Sequence, residues 1–317
     1  MGVARKHRPE EEVVVDDSTA QSGEVDLTRP SAARVYDYYL GGAHNFAVDR
    51  EMAERAMGMW PDLPLIMQAN RAFLRRAVRF CVDAGIRQFL DLGSGIPAVG
   101  NVHEIAQAAA PDARVVYVDS DPVAVAYSRS ILAGNELTAA VQADLRKPDA
   151  VLGSPEVRSL LNFDEPMAVM MVAVLHFVSD NDDPAAIVAG YREVMAPGSV
   201  LAISHATQDG QPQQAASHQD LYRHTPTPMT MRSKPQVAGL LAGFDIMEPG
   251  VVFLPLWRPA SPDDVDEHPE RFSGLAAVCR KSCRRSCHCS HRTVGDQSHR
   301  LCQPRERRDQ ADQRHRG

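Results

Sequence analysis

Four short stretches hold residue types that could together build one small-molecule site. The first, Phe89-Leu90-Asp91-Leu92-Gly93-Ser94-Gly95, joins an apolar run to a glycine turn. Glycines placed there let a ligand approach the backbone closely, and Asp91 just before them suits a ligand with positive charge. In the second, Asp119 and Ser120 follow Val115-Val116-Tyr117-Val118. Their separation from the glycines is close to the roughly 20 residues at which a carboxylate meets ribose hydroxyls. Asp121, before Pro122, reads as a helix N-cap. In the third, Gln142-Ala143-Asp144-Leu145, Asp144 could accept a hydrogen bond from an adenine amino group, and the Leu145 amide could meet a ring nitrogen. The fourth, Ala173-Val174-Leu175-His176-Phe177, brings His176 to the end of an apolar run as the candidate general base, because histidine titrates near neutrality. His205 stands in the same position after a fifth run. Each stretch also has a plainer reading: an ordinary strand-to-helix turn, a helix cap at Asp119, a loop-starting Asp144, a packed His176.

The pattern separates two nucleotide ligands. A dinucleotide site needs a third glycine and a helix N-terminus beneath its pyrophosphate. Here the third position is Pro97, and the next helix starts only after Asn101. S-adenosylmethionine has no phosphate and carries an ammonium and a sulfonium, so it needs neither feature and suits Asp91. No metal set is read in the body of the chain.

The elements that must position these residues alternate regularly. Apolar runs predict strands at 88–92, 115–118, 139–143, 167–175 and 200–204. Helical spacing predicts helices at 102–109, 122–132 and 184–195, the first with Asn101 as N-cap and Glu104 in the capping-box position. Strands alternating with helices imply a parallel sheet covered on both faces, and right-handed crossovers make it doubly wound. A helix over 237–242 and strands near 244–247, 251–256 and 274–278 complete a mostly parallel seven-stranded sheet with a C-terminal antiparallel hairpin; the 251–256 run either continues the strand before it or pairs with it. Upstream, helical patterns over 31–59 and 65–84 predict an N-terminal helical cap, with Arg71, Arg75, Arg76 and Arg79 on the outer side of the second stretch. Gly41-Gly42 interrupts the first stretch, as a backbone constraint or as a simple helix–helix turn.

These motifs, spread over most of the body, resemble class I S-adenosylmethionine-dependent methyltransferases. More narrowly, they resemble the actinobacterial S-adenosyl methyltransferase family once labelled a domain of unknown function. The resemblance rests on Arg34-Val-Tyr-Asp-Tyr-Tyr-Leu-Gly-Gly-Ala-His-Asn-Phe46, Asp91-Leu-Gly-Ser-Gly-Ile-Pro97, Gly100-Asn-Val-His-Glu104, Val116-Tyr-Val-Asp119 with Asp121-Pro122, Ala143-Asp-Leu-Arg146 and Leu175-His-Phe-Val-Ser-Asp180. It implies a Rossmann-like fold with S-adenosylmethionine across the strand ends. It also implies that the segment around Tyr38, Gly42 and Asn45 folds over the cofactor. The expected cofactor residues are therefore Tyr38, Gly42, Asn45, Asp91, Gly93, Ser94, Gly95, Asp119, Ser120, Asp144, Leu145, Ala173 and His176. The resemblance names no acceptor.

Bulk properties narrow the partners. The 317 residues are 44% hydrophobic with a net charge of −7, enough to bury a core. The stretch from Cys279 to Gly317 has 11 Lys and Arg against 4 Asp and Glu, which leaves the rest near −14. An acidic body disfavours nucleic acid, whose phosphates need clustered cations. No apolar run is long enough to span a bilayer and Met1–Asp17 has no signal-peptide centre, so a cytoplasmic protein is expected. The expected layout is a flexible arm over 1–28, a methyltransferase domain over 29–281 (cap 29–84, core 85–281) and a disordered basic tail over 282–317. That tail has almost no apolar residues and reads as out-of-frame translation, with zinc ligation by Cys283, Cys287, Cys289 and His291 or a basic arm as alternatives. The expected function is transfer of a methyl group from S-adenosylmethionine to a small-molecule acceptor, bordered by the Gln208–Lys234 segment. A non-catalytic sensor of the cofactor or its demethylated product and an NAD(P)-dependent oxidoreductase are the rivals.

Overall fold

The computed structural model describes residues 26–97, 100–261 and 265–282. The expectations for the arm before 26 and the tail after 282 lie outside the described residues, apart from their boundary positions.

The sheet contains β1 (Gln88–Leu92), β2 (Arg114–Asp119), β3 (Thr138–Gln142), β4 (Ala168–Val172), β5 (Val200–Ala206), β6 (Asp245–Ile246), β7 (Val252–Phe253) and β8 (Gly274–Arg280). Its order is β3-β2-β1-β4-β5-β8-β6, with β7 also on β8. β1 to β5 run parallel, and β8 runs antiparallel to β5 along its whole length. The fold is thus the expected Rossmann-like sheet, with one correction: it has eight strands, not seven. β6 and β7 do not pair with each other. Both lie antiparallel on β8, at Cys279–Arg280 and at Leu275–Ala276. They are the two halves of one interrupted outer strand, so the 251–256 run continues its predecessor.

Side chains on neighbouring positions of each strand point to opposite faces, and both faces are buried. Leu90, Leu92, Val116 and Val118 pack with α6 (Pro148–Leu152), α7 (Pro155–Leu160), α8 (Pro184–Val194) and α10 (Lys234–Leu240). Phe89, Val115 and Met170 pack on the other face with α3 (Leu63–Asp83), α4 (Val102–Ala109) and α5 (Pro122–Ile131). A third, smaller core joins α1 (Ala32–Tyr39), α2 (Ala47–Met59) and the start of α3 to α9 (Pro212–Tyr222). The cap is therefore welded to an element of the 208–234 segment.

The arginines of α3 need a correction. Arg76 donates to the Trp257 and Leu254 carbonyls at 2.8 Å each, and Arg71 turns into a cavity described below. Helical spacing placed them outside, but the chain after β7 and the start of α4 cover that face. β4 also ends earlier than its apolar run, because Ala173 adopts a left-handed φ of 58° and Leu175–Phe177 forms a 3-10 turn.

Candidate functional site

The strand order reverses between β1 and β4, which run parallel, and ligands of open α/β sheets sit outside the strand ends at such a point. A cavity of about 390 Å³ lies there, within the range of cofactor sites. Its floor brings together Asp91, Gly93, Ser94 and Gly95 at the end of β1, Asp119 and Ser120 at the end of β2, Asp144 and Leu145 after β3, and Ala173 after β4. Nine of the thirteen expected cofactor residues thus share one wall.

Local chemistry fixes each of them. Gly93 has φ +70°, and a Cβ there would lie 2.1 Å from a Val174 methyl, so the turn admits glycine alone. Asp119 accepts from the amides of Gly95 at 2.7 Å and Asp121 at 2.8 Å, one on each oxygen. Asp121 accepts from the Val123 and Ala124 amides as the N-cap of α5. Asn101 and Glu104 form the predicted capping box of α4, which keeps that helix N-terminus well past the glycines. Asp144 is held by Arg146 through three bonds of 2.7–3.0 Å, and this ion pair holds its carboxyl below the usual range.

Burial dominates the electrostatics. Asp91, at 7% exposure, is pushed up to about 7 by desolvation; Arg71 opposes the rise and Asp119 adds to it. Asp119 is pushed up to about 6, again by burial, against the pull of its backbone donors. Two acids that burial makes reluctant to ionise gain most from a cationic ligand.

The roof comes from α1, through residues the sequence did not single out. Ser31, Ala32, Ala33 and Tyr36 line the cavity, joined by Asn70, Arg71 and Leu74 of α3. Ser31 donates to Asp121 and Arg34 bridges Asp49 and Asp121, which ties the roof to the β2 end. Tyr38, Gly42 and Asn45 do not line this cavity. The Tyr38 hydroxyl donates to Glu54 at 3.0 Å on the outer side. Asn45 donates to buried Asp37 at 2.8 Å. A Cβ on Gly42 would fall 2.0 Å from an Asp37 oxygen. The glycine pair therefore closes a corner around Asp37. The segment reaches the cavity by its α1 residues Ala32, Ala33 and Tyr36.

His176 also lies elsewhere. It lines a second cavity that shares Tyr36, Asn70, Ala173 and Phe177 with the first. The Ala206 amide donates to its Nδ1 at 3.3 Å, which leaves the proton of the neutral ring on Nε2. Burial drives its pKa well down, with His205 as the next cause. His176, the candidate general base, thus faces this second cavity and not the wall that carries the acids. Segment 208–234 supplies His218, Tyr222, Met229 and Met231 to this second cavity. The signal missed in the sequence is the Asn70-Arg71 pair on α3, which read as part of an ordinary amphipathic helix.

The fold and site define the methyltransferase class of Rossmann-like proteins: five parallel strands, an antiparallel closing strand, and a glycine turn with acids at successive strand ends. The chain belongs to the S-adenosyl methyltransferase family, whose model matches residues 18–282. It is an S-adenosylmethionine-dependent methyltransferase with S-adenosyl-L-methionine as its cofactor. The crystal structure of a provisionally assigned methyltransferase from Thermobifida fusca YX is 40% identical, with a TM-score of 0.77, covering 82% of this chain and 97% of that one. A DUF574-family protein from Streptomyces avermitilis MA-4680 is 38% identical, with a TM-score of 0.78, covering 81% and 100%. No curated protein matches the chain. Among the described residues, no helix is long and apolar enough to cross a membrane.

Proposed function

We propose that the 390 Å³ cavity holds S-adenosylmethionine and that the methyl group passes to a small-molecule acceptor. The carrying observation is the pair of acids, buried Asp91 and half-buried Asp119, raised together at the ends of adjacent strands. Asp91 takes the ammonium of the methionine moiety, and Arg71 beside it takes the carboxylate. Asp119, whose oxygens accept the Gly95 and Asp121 amides, turns its remaining lone pairs to the ribose hydroxyls. Asp144 and the Leu145 amide face the adenine edge, with Arg146 orienting the carboxylate. Gly93, Ser94, Gly95 and Ala173 let the ligand pass close to the backbone.

When bound, the cofactor supplies an activated methyl carbon: the acceptor's lone pair forms the new bond, the C–S pair leaves with sulfur, and the acceptor loses its proton to solvent. The chain's own contribution is orientation and exclusion of water. The acidic body and the enclosed site support a small molecule over nucleic acid.

Calorimetric titration with S-adenosylmethionine, S-adenosylhomocysteine and NAD tests the reading. We expect micromolar binding of the first two, none of NAD, and at least tenfold weakening by Asp119→Ala. Binding of NAD in preference to both would overturn it.

A further inference from the structure

The second cavity is small, about 70 Å³, and chemically unusual. Among the described residues that line it, none is Asp, Glu, Lys or Arg. Its three histidines stay neutral: burial depresses His205 and His218 to about 4 and His176 well below its usual value. Arg232, behind His205, spends its donors on the Leu175 and Val178 carbonyls, on Asp180 and on His205 Nε2. Buried polar atoms on residues of the wall nevertheless have no partner, among them Trp60 Nε1, His218 Nε2 and Ser273 Oγ. Buried polar groups are normally satisfied, and exceptions cluster where a ligand completes them.

The boundary with the cofactor cavity is a polar seam. Asn70 donates to the Tyr36 hydroxyl at 2.9 Å, Ser204 Oγ donates to Asn70 Oδ1 at 2.5 Å, and the Ala173 amide donates to Ser204 Oγ at 2.9 Å. Ala173 holds a left-handed φ on this seam, a strained conformation of the kind that gathers at functional sites. The other walls are apolar and include Met67, Met229 and Met231, side chains that repack readily.

Resting on the cofactor reading above, we propose that this second cavity receives the reacting end of the methyl acceptor, a compact uncharged molecule built on a single planar ring with a hydroxyl or amine. An ionised acceptor would bury an unpaired charge. At about 70 Å³ the cavity is roughly half of the 150 Å³ that accommodates benzene, so a single ring enters only as Met67, Met229 and Met231 move aside, and a fused or polymeric body does not. Trp60 Nε1 donates to the acceptor; His218 Nε2 and Ser273 Oγ complete its polar edge.

The chain has two tryptophans. Trp257 is fully buried against Phe73 and Phe80, so a ligand in the second cavity reports through Trp60. The full chain, saturated with S-adenosylhomocysteine at pH 7.5, is titrated with phenol, benzoate and benzylamine while tryptophan emission is followed. Phenol should quench saturably, with benzoate and benzylamine at least tenfold weaker. His218→Phe should weaken phenol at least threefold and leave S-adenosylhomocysteine affinity, measured by calorimetry, within twofold. Normal S-adenosylhomocysteine binding with benzoate or benzylamine matching phenol, or with no saturable phenol signal, overturns this inference alone. Failure of S-adenosylhomocysteine itself to bind overturns the cofactor reading and this inference with it.

Discussion

Replacing Asp91 with Asn should move stability and cofactor binding in opposite directions. In the free protein, burial lifts the Asp91 carboxyl to about 7, whereas an unfolded chain holds it near 3.9. The folded state therefore keeps a proton that the unfolded state sheds, and stability falls as pH rises from about 4 to about 7 and then levels. Three pKa units at about 1.4 kcal/mol each set a ceiling of about 4 kcal/mol on that loss. Asn cannot ionise, so Asp91→Asn recovers part of it. At pH 8 the ligand-free variant should melt above the parent, by roughly 2–4 °C per kcal/mol recovered, and the gain should fade as pH falls toward 4. Binding goes the other way. A hydrogen bond from a charged donor contributes about 1.5–3 kcal/mol, so the variant should bind roughly 10- to 150-fold more weakly. S-adenosylhomocysteine keeps the ammonium and lacks the sulfonium. Equal losses for both ligands place Asp91 on the ammonium; a larger loss for S-adenosylmethionine places it on the sulfonium. The parent's Kd should also rise below pH 7, because the ligand must displace a proton, and the variant should lose that dependence between pH 6 and 8. Calorimetry and thermal melts from pH 5.5 to 8.5 read all of this. A variant that melts below the parent at pH 8 while binding both ligands as tightly would refute the reasoning, as would a parent Kd that is flat from pH 6 to 8.

Two further substitutions test the cap and the second cavity. Gly42→Ala forces a methyl into Asp37 and should cost about 1–3 kcal/mol of stability. Its S-adenosylhomocysteine affinity should stay within about threefold, because α1 meets the cavity through Ala32, Ala33 and Tyr36; a tenfold loss would return Gly42 to the binding site. Arg232→Met leaves the Val178 carbonyl and His205 Nε2 without a donor, while the Leu175 carbonyl keeps the Val178 amide. At about 1–3 kcal/mol for each of these two buried unpaired groups, denaturant titration should show a loss on the order of 2–6 kcal/mol, and a loss below about 1 kcal/mol would contradict the bonding described.

What could be read from the sequence was what local rules dictate. Asp91 and the glycines were visible because a fully buried strand must end in a turn, and the Asn101–Glu104 box because capping needs only three residues of spacing. Asp121 was legible as a cap for the same reason. Arg71 was not, since periodicity separates two faces of a helix without saying that both are covered. The glycine pair at 41–42 drew attention rightly, but its cause is Asp37, whose burial no pattern reveals. His176 was placed near the cofactor by strand register; the turn at Ala173, hidden inside an apolar run, carries it into the neighbouring cavity.

The interrupted outer strand has a consequence for how this molecule meets others. A sheet edge with an unbroken row of amides and carbonyls invites a strand from another chain. On the far side of β8 that row is cut into two pieces, Asp245–Ile246 and Val252–Phe253, with Pro249 and Gly250 between them. Pro249 has no amide to offer, and Asp245 places an exposed carboxylate on one piece. A neighbouring copy cannot prolong the ladder across such a gap. At this border the protein is guarded against edge-to-edge aggregation, and any association there must be made by side chains.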